Sequence, residues 1–200
     1  MECALCIKDK IKNETLEETP NFVLVSALGS FIPYYLLIIS KTHITSLSSI
    51  INIPSLEKEF ESLKKKAEKF IKAKTGNNCM AFEHASDQIG RAGCCVNHLH
   101  LHLLPCVNGE KIVKRITNSV GLPATIKTYG DLTTLFYQNT PYLLVETNKI
   151  YLWKDPLILS QFMRRVIAEE YNIVERYDWK RYPFYENMTK SMKEWKKWKK

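Results

Sequence analysis

The sequence predicts an α+β fold in which a mainly antiparallel sheet of about five strands packs against one long helix. Two observations support this prediction. Apolar runs of strand length lie far apart along the chain, with few regular crossovers between them. Residues 55–74 instead repeat their apolar side chains at intervals of three and four, which is typical of an amphipathic helix. Helical patterns return near the C-terminus, so we expect a helical extension beyond the core.

Strands are predicted in the first half of the chain where β-branched, aromatic or alternating apolar residues cluster, at residues 21–28, 34–39, 79–84 and 98–104. The run at 34–39 (YYLLII) is apolar enough to be covered on both faces. The helix over 55–74 carries Lys and Glu opposite its apolar stripe and ends at Thr75-Gly76.

The second half of the chain is less regular, and Asn108-Gly109 indicates a turn at its start. A hairpin is predicted over 142–153, and a helix from Ser160 to about Tyr171 with Arg164 and Arg165 facing solvent. A last helix, over 185–200, ends in a basic stretch. We therefore divide the chain into a core domain, 1–107, and an extension, 108–200, packed on or near it.

Composition excludes several classes of protein. The 200 residues are 45% hydrophobic and 25% charged, with 7 Gly and 8 Pro, which excludes disordered, collagen-like and low-complexity chains. We find no run that could span a bilayer and no secretion signal, so we expect a cytoplasmic protein with no membrane partner. Six Cys in a reducing compartment favour metal binding or chemistry over disulfides. The net charge of +8 favours an anionic partner.

Three of the five His lie at alternate positions of one predicted strand: His98, His100 and His102. A strand alternates faces with a period of two, so the imidazoles project from one side and the intervening Leu residues from the other. A solvent-facing strand that happens to use His is the alternative interpretation, but the uniform Leu face favours a site with divided roles.

A Cys-x-x-Cys spacing at Cys3 and Cys6 offers two thiolates to a tetrahedral zinc ion. His43, which follows the second apolar strand, and one His of the histidine strand complete a Cys₂His₂ set. Cys94, Cys95 and Cys106 flank that strand and are rival ligands. We rank the rivals second, because adjacent cysteines chelate poorly.

A neutral imidazole near its ordinary pKa is an effective nucleophile or general base at neutral pH. His100 is therefore a candidate nucleophile for attack on the phosphorus atom of an anionic substrate. Gly93 and its small neighbours allow backbone N–H groups to approach phosphate oxygens. The chain lacks the Gly-x-x-x-x-Gly-Lys-[Ser/Thr] pattern of P-loop proteins.

The run HLHLHLL at 98–104 resembles the signature of the histidine triad (HIT) superfamily of nucleotide hydrolases and transferases. The similarity extends to CALC (3–6), FIPYYLLIISKTHITSL (31–47), FEH (82–84) and GCCVNHLHLHLLP (93–105), in the family's order. CALC resembles the zinc knuckle of a zinc-bearing branch, and the FEH segment resembles a bacterial-type subgroup. In the extension, PYLLVE, SQFMRRVIAEEY and DWK…ENM resemble a CwfJ-like region of splicing-associated relatives.

The resemblance implies a role for each matching residue. His100 becomes the nucleophile that forms a nucleotidyl-histidine, oriented by a backbone carbonyl, and His102 binds or polarises the phosphate. A structural zinc is implied at Cys3, Cys6, His43 and His98. Substrate contacts are assigned to a further set: His84, Gly93, Cys94, Cys95, Arg164 and Arg165. The chain departs from the family at Tyr34-Tyr35, where Gly-His is usual, and at Cys94-Cys95.

Two functions follow as expectations. The first is a zinc-stabilised hydrolase or nucleotidyl transferase that acts at the α-phosphate of a nucleotide conjugate such as a dinucleoside polyphosphate. The alternative is a non-catalytic RNA-binding or splicing- and debranching-associated adaptor. It draws on the CwfJ-like extension and on a basic tail with Trp195, Trp198 and six Lys after Met188, which is otherwise interpreted as a solvated helix end. Whether the chain forms a homodimer stays open.

Overall fold

The computed structural model describes residues 3, 5, 6, 12–86, 93 and 96–199. These residues contain eight strands: β1 (Thr15–Glu18), β2 (Phe22–Ser26), β3 (Leu36–Ser40), β4 (Asn78–Ala85), β5 (His100–Cys106), β6 (Ala124–Ile126), β7 (Tyr142–Glu146) and β8 (Ile150–Lys154). They also contain five α-helices: α1 (Pro54–Thr75), α2 (Gly109–Val120), α3 (Thr133–Tyr137), α4 (Phe162–Glu170) and α5 (Tyr185–Trp198). Short 3-10 helices lie at Lys12–Glu14, Leu47–Ser49, Tyr129–Leu132 and Val174–Arg176.

All eight strands belong to one antiparallel sheet, in the order β1-β2-β3-β5-β4-β7-β8-β6. The predicted α+β class is therefore confirmed, but the sheet is larger than the expected five strands. The first five strands come from the predicted core, and β7 of the extension then pairs with β4. The extension is thus not only helical, because β7 covers the backbone edge that β4 would otherwise leave unpaired. The division of the chain at residue 107 stays a prediction.

The strand register divides the central side chains between two faces of the sheet. Leu36 pairs with Leu103 and Ile38 with Leu101, and these four side chains are buried in the core against α1. On the other face Leu37 pairs with His102 and Ile39 with His100. Cross-strand partners share a face, so two imidazoles and two apolar side chains lie together on the side away from α1.

Helix α1 has the predicted extent, because its ends are set locally. Pro54 occupies the first turn, where its missing N–H costs no hydrogen bond, and Gly76 ends the helix with a φ of 72°. Phe60, Leu63 and Phe70 are buried against the sheet.

Helix α2 is not predicted by the sequence analysis. Asn108-Gly109 is not an isolated turn, since the Asn108 side chain caps the helix by accepting from the Lys111 N–H at 3.1 Å. Ile112, Val113 and Ile116 are the buried residues of α2. Asparagine followed by glycine favours both turns and helix starts, and only the packing of the following residues decides between them.

Helix α5 places Trp195 in the core and packs Trp198 against it. Trp195 is 1% exposed, and its ring centroid lies 4.9 Å from that of Phe70 in α1. Trp198 packs 5.5 Å from the same ring, and Glu194 pairs with Lys74 at 2.9 Å. The expectation that Trp195 stacks on RNA bases is therefore wrong, because its indole fills a space beside α1. In the described part of the chain, no helix combines the length and apolar character that crossing a bilayer requires.

Glu83 is a buried carboxyl group that fixes the segment after β3. Its side chain accepts hydrogen bonds from the Leu47 N–H at 2.8 Å and from the Tyr142 hydroxyl at 2.6 Å. Burial raises its pKa to about 7, although these hydrogen bonds oppose the shift. The folded chain therefore holds a proton on Glu83 that the unfolded chain releases near its ordinary pKa of 4.5.

We expect the free energy of unfolding to fall by about 3 kcal/mol as the pH rises from 4.5 through 7, because ionising Glu83 then costs more in the folded state. A Glu83→Gln variant keeps an oxygen that accepts from the Leu47 N–H, places an amide NH₂ opposite the Tyr142 hydroxyl in place of the second carboxyl oxygen, and cannot ionise. Urea unfolding of both proteins at pH 5 and pH 8 measures the difference. Equal pH dependence in the two proteins would contradict the raised pKa.

Candidate active site

Strand β5 separates its polar and apolar side chains as the alternation predicts. Leu99, just before the strand, and Leu101 and Leu103 within it are fully buried in the core against α1. His100 and His102 line a groove on the opposite face, with ring centroids 5.0 Å apart. His98 precedes the strand and is 1% exposed. The three histidines therefore occupy two different environments.

The His100 ring is held by the backbone of its own segment. Its Nδ1 lies 2.5 Å from the His98 carbonyl oxygen. A carbonyl oxygen only accepts, so Nδ1 carries the proton and the lone pair stays on Nε2. Burial lowers the pKa of His100 below its usual value, against the opposing effect of this hydrogen bond. The arrangement gives a neutral imidazole of fixed tautomer in the groove.

His102 is held by a chain of hydrogen bonds that ends in the extension. Its Nδ1 lies 2.8 Å from the Tyr35 hydroxyl, and its ring stacks on Phe82 at 4.2 Å. Burial raises the pKa of Tyr35 to about 12, although the Arg164 guanidinium, which hydrogen-bonds to the phenol, opposes the shift. Burial also lowers the pKa of His102 well below its usual value. Since Arg164 only donates, the Tyr35 O–H points to Nδ1, and Nε2 of His102 carries the ring proton.

Residues 98–102 form the histidine segment, and four potential metal ligands lie together at its start, where His98 is one of them. The ligand atoms of Cys3, Cys6, His43 and His98 all lie within 4.8 Å of one another. The His98 Nδ1 is 3.4 Å from the Cys3 sulfur and 3.5 Å from the Cys6 sulfur, and the His43 Nδ1 is 3.3 Å from the Cys6 sulfur. His98 uses Nε2 to contact the Ser40 carbonyl at 2.7 Å, which leaves its Nδ1 lone pair toward the sulfurs. These four residues could hold a metal ion.

The groove beside the histidines has a volume of about 250 Å³ and mostly apolar walls. Val25, Leu37 and Ile39 form its floor over β2 and β3. The imidazoles of His84, His100 and His102 lie toward β4 and β5. A flat apolar group and an anion can therefore lie side by side, one over each pair of strands.

The sequence-predicted substrate residues fall into three groups. His84 and Gly93 line the groove, and Gly93 has a φ of 73° and a backbone so close that an added Cβ would lie 3.1 Å from His84 Nδ1. Cys94 and Cys95 lie outside the described residues. Both arginines belong to the extension and are placed differently from each other.

The sequence predicts Arg164 to face solvent, but this residue is only 6% exposed and lines the groove. Its guanidinium donates to the Gly29 and Tyr177 carbonyl oxygens at 2.5 and 2.7 Å, and lies 4.9 Å from the centroid of Phe31. The expectation is wrong because carbonyl acceptors and an aromatic face compensate the buried charge. Arg165 instead stacks over Tyr177 at 4.7 Å and is not among the described residues that line the groove.

The sequence analysis did not assign four residues that belong to the groove or support it: Glu14, Tyr35, Gln161 and Trp179. Burial raises the pKa of Glu14 to about 7, so this carboxyl is partly protonated at neutral pH. The replacement of the family's usual His by Tyr35 was a signal for one of them. The other three lie in segments without a motif, where only the fold brings them to the histidines.

Three solved structures that are similar to this chain are HIT or histidine triad proteins. One is a HIT family protein from Bacillus anthracis, with 23% identity and a TM-score of 0.44 over 52% of this chain and 72% of that one. A HIT-like protein involved in cell-cycle regulation from Bartonella henselae has 18% identity and a TM-score of 0.42 over 51% and 73%. A hypothetical histidine triad nucleotide-binding protein from Sulfolobus tokodaii has 20% identity and a TM-score of 0.42 over 52% and 68%.

No curated protein sequence matches this chain. The family model of the HIT domain matches residues 8–108, which is half of the chain. This range contains the strands of the groove floor, His43, and the three histidines of the histidine segment, His98, His100 and His102. The arrangement of a buried Leu face and an imidazole-lined groove is thus found within the matched region, and the chain belongs to the HIT domain family.

Proposed function

We propose that this protein is a hydrolase or nucleotidyl transferase that acts at the α-phosphate of a nucleotide conjugate through a nucleotidyl-histidine intermediate. The observation that carries the proposal is the hydrogen bond from His100 Nδ1 to the His98 carbonyl oxygen at 2.5 Å. It leaves Nε2 as the nucleophilic atom of a neutral ring, in a groove that also holds the neutral imidazole of His102. HIT proteins as a family bind nucleotides, and the net charge of +8 suits such a substrate.

In the first step, the Nε2 lone pair of His100 attacks the α-phosphorus. A P–N bond forms, and the bond from phosphorus to the leaving group breaks and takes its electron pair away on the leaving group, which then accepts a proton. In the second step, water or another acceptor oxygen attacks the same phosphorus. The P–N bond breaks, the acceptor loses its proton, and the lone pair returns to His100.

His102 supplies a hydrogen bond to the phosphate in this proposal. The Arg164–Tyr35–His102 chain leaves the proton on Nε2 of His102, where it can be donated to a nonbridging phosphate oxygen. Such a donor gains strength as charge develops on the oxygen in the transition state, because it is fixed before the reaction begins. The Arg164 guanidinium adds positive charge next to the Tyr35 hydroxyl.

The metal that we propose for the four-ligand cluster is zinc, because two thiolates and two imidazoles are a common tetrahedral donor set for it. Bound there, zinc would supply structural cross-linking of the N-terminal segment to the histidine segment. His98 links the cluster to the groove, since its Nδ1 faces the sulfurs and its carbonyl oxygen holds His100. The four described cysteines are free thiols, which suits a protein of the reducing cytoplasm.

An isotope experiment tests the reaction. The protein is incubated in ¹⁸O-labelled water with dinucleoside polyphosphates, adenylated amines, capped RNA ends and nucleotide sugars as separate substrates. We expect a nucleoside 5′-monophosphate that carries one ¹⁸O on phosphorus, because water attacks the nucleotidyl-histidine. A label found only on the leaving group would contradict attack at the α-phosphorus, and no product from any substrate would contradict the hydrolase.

We expect the Tyr35→Phe variant to lose about tenfold in kcat, because His102 then lacks the donor that fixes its tautomer. The free energy of unfolding should fall by about 1 kcal/mol, the usual cost of one buried hydrogen bond. Tyr171→Phe is the matched control, since its hydroxyl donates to the Pro105 carbonyl oxygen and not to a histidine. Equal kcat losses in the two variants would mean that Tyr35 has no special role in turnover.

A further inference from the structure

The extension forms one wall of the groove, which Leu5 and Glu14 of the N-terminal segment also line. Gln161, Arg164 and Trp179 line it, and all three lie beyond the region that the family model matches. Trp179 lies against the loop after β2, where Gly29 has a φ of 73°. A Cβ on Gly29 would lie 2.2 Å from the Cβ of Trp179, so only glycine permits this approach.

Several hydrogen bonds hold the segment around Trp179 in place. The Gly29 N–H donates to the Pro183 carbonyl oxygen at 2.7 Å. Arg164 donates to the Tyr177 carbonyl oxygen on one side and to the Gly29 carbonyl oxygen on the other. Gln161 donates to Asp178 at 3.3 Å. Residues 177–183 are therefore fixed to the groove at both ends, and the position of Trp179 is set before any ligand binds.

The surroundings of Trp179 suit a planar aromatic ligand that carries negative charge. The apolar side chains of Val25, Ala27 and Leu37 line the groove on the β2–β3 side, and Leu37 pairs directly with His102 of β5. The exposed Lys180 ammonium lies 5.7 Å from the centroid of the indole ring. An indole wall, an apolar floor and a nearby cation match a nucleobase attached to phosphate, since stacking on tryptophan needs only a π face.

We propose that Trp179 is the residue on which the nucleobase of the substrate stacks, so that the extension adds an aromatic wall to the apolar floor that the HIT core supplies. This inference rests on the proposed function, because it places the phosphate of the same nucleotide at His100. It adds a binding role for residues 177–183 and predicts that substrates without an aromatic base bind weakly.

The test compares adenosine 5′-monophosphate with ribose 5-phosphate, which lacks the base, by isothermal titration of the full-length, metal-loaded protein. In Trp179→Leu we expect the Kd for adenosine monophosphate to rise about tenfold, and the Kd for ribose 5-phosphate to change less than twofold. Trp179→Phe should retain the monophosphate affinity within threefold, since a phenyl ring also stacks. Trp198→Leu is the matched control, because Trp198 packs on Phe70 away from the groove, and should leave both constants unchanged.

Fluorescence gives a second readout that does not depend on the leucine variant folding. Adenosine monophosphate should change the indole emission of the wild type, and that change should disappear in Trp179→Phe while binding persists. An unchanged monophosphate Kd in Trp179→Leu, or equal weakening of both ligands, would overturn the inference alone. A wild-type protein that binds neither ligand would overturn the proposed function and this inference with it.

Discussion

Replacing His100 by Asn should abolish turnover, with kcat reduced about 10³-fold or more, because the Nε2 lone pair of His100 is the attacking group in the proposed mechanism. Asparagine keeps an N–H donor of similar reach for the His98 carbonyl oxygen, so the local backbone contact has a substitute. The measurement is product formation from the best nucleotide substrate, together with covalent labelling by that substrate carrying an α-³²P. Wild-type protein should show an acid-labile, base-stable label on His100, as a phosphoramidate requires.

The controls for this variant separate chemistry from folding. His100 is not among the four clustered ligands, so the metal content and melting temperature of the His100→Asn variant should match those of the wild type. His102→Asn retains the nucleophile and should still become labelled, although more slowly. Undiminished turnover in His100→Asn, or a label that maps to another residue, would rule out His100 as the nucleophile.

Removing one of the clustered metal ligands should have the second large effect on activity and stability. We expect one zinc per chain in protein purified with reduced thiols, and loss of that zinc in Cys3→Ser, since a neutral hydroxyl replaces a thiolate ligand. kcat should fall about 10- to 100-fold, because His98 then holds its carbonyl oxygen against His100 less rigidly. The melting temperature should also fall, since the N-terminal segment loses its attachment to His43 and His98.

Cys106→Ser is the matched control for the metal experiment. Cys106 lies at the end of β5, is a free thiol, and is outside the described four-residue cluster. Its variant should keep the zinc, the melting temperature and the activity of the wild type. Metal retained by Cys3→Ser but lost from Cys106→Ser would assign the site to the rival cysteines.

The groove histidines are positioned from two directions. The His98 carbonyl oxygen fixes His100, and His98 itself faces the cysteines of the N-terminal segment. The Tyr35 hydroxyl fixes His102, and Tyr35 contacts Arg164 of the extension. The position of His100 therefore depends on the N-terminal segment, and the position of His102 depends on the extension.

Tyr34 and Tyr35 illustrate how a departure from a family pattern is accommodated. Tyr34 takes a φ of 65°, which is unusual for a side chain of this size. Its ring packs 5.6 Å from Phe70, and its N–H donates to the Ser191 hydroxyl at 2.8 Å, so helix α5 compensates the strain. Tyr35 then projects to the opposite face, where it reaches His102. The extension thus supports both residues, one through α5 and the other through Arg164.

The sequence by itself determined the features that depend on local periodicity. Alternation in a strand decides which side chains share a face. The sequence therefore predicted that Leu99, Leu101 and Leu103 lie on one face and that His100 and His102 lie together on the other. The limits of α1 follow from Pro54 and Gly76 in the same way, and the Cys-x-x-Cys spacing indicated two of the clustered ligands.

Only the tertiary structure decided which residues of the extension belong to the site. A pattern of charges on a helix does not reveal that Arg164 finds the Gly29 and Tyr177 carbonyl oxygens inside the protein. Nor does a basic tail reveal that Trp195 fills a space beside Phe70 while Trp179 borders the groove. Burial of a charge or an indole depends on partners more than ten residues away, and those contacts exist only once β7 has paired with β4 and the extension lies against the core.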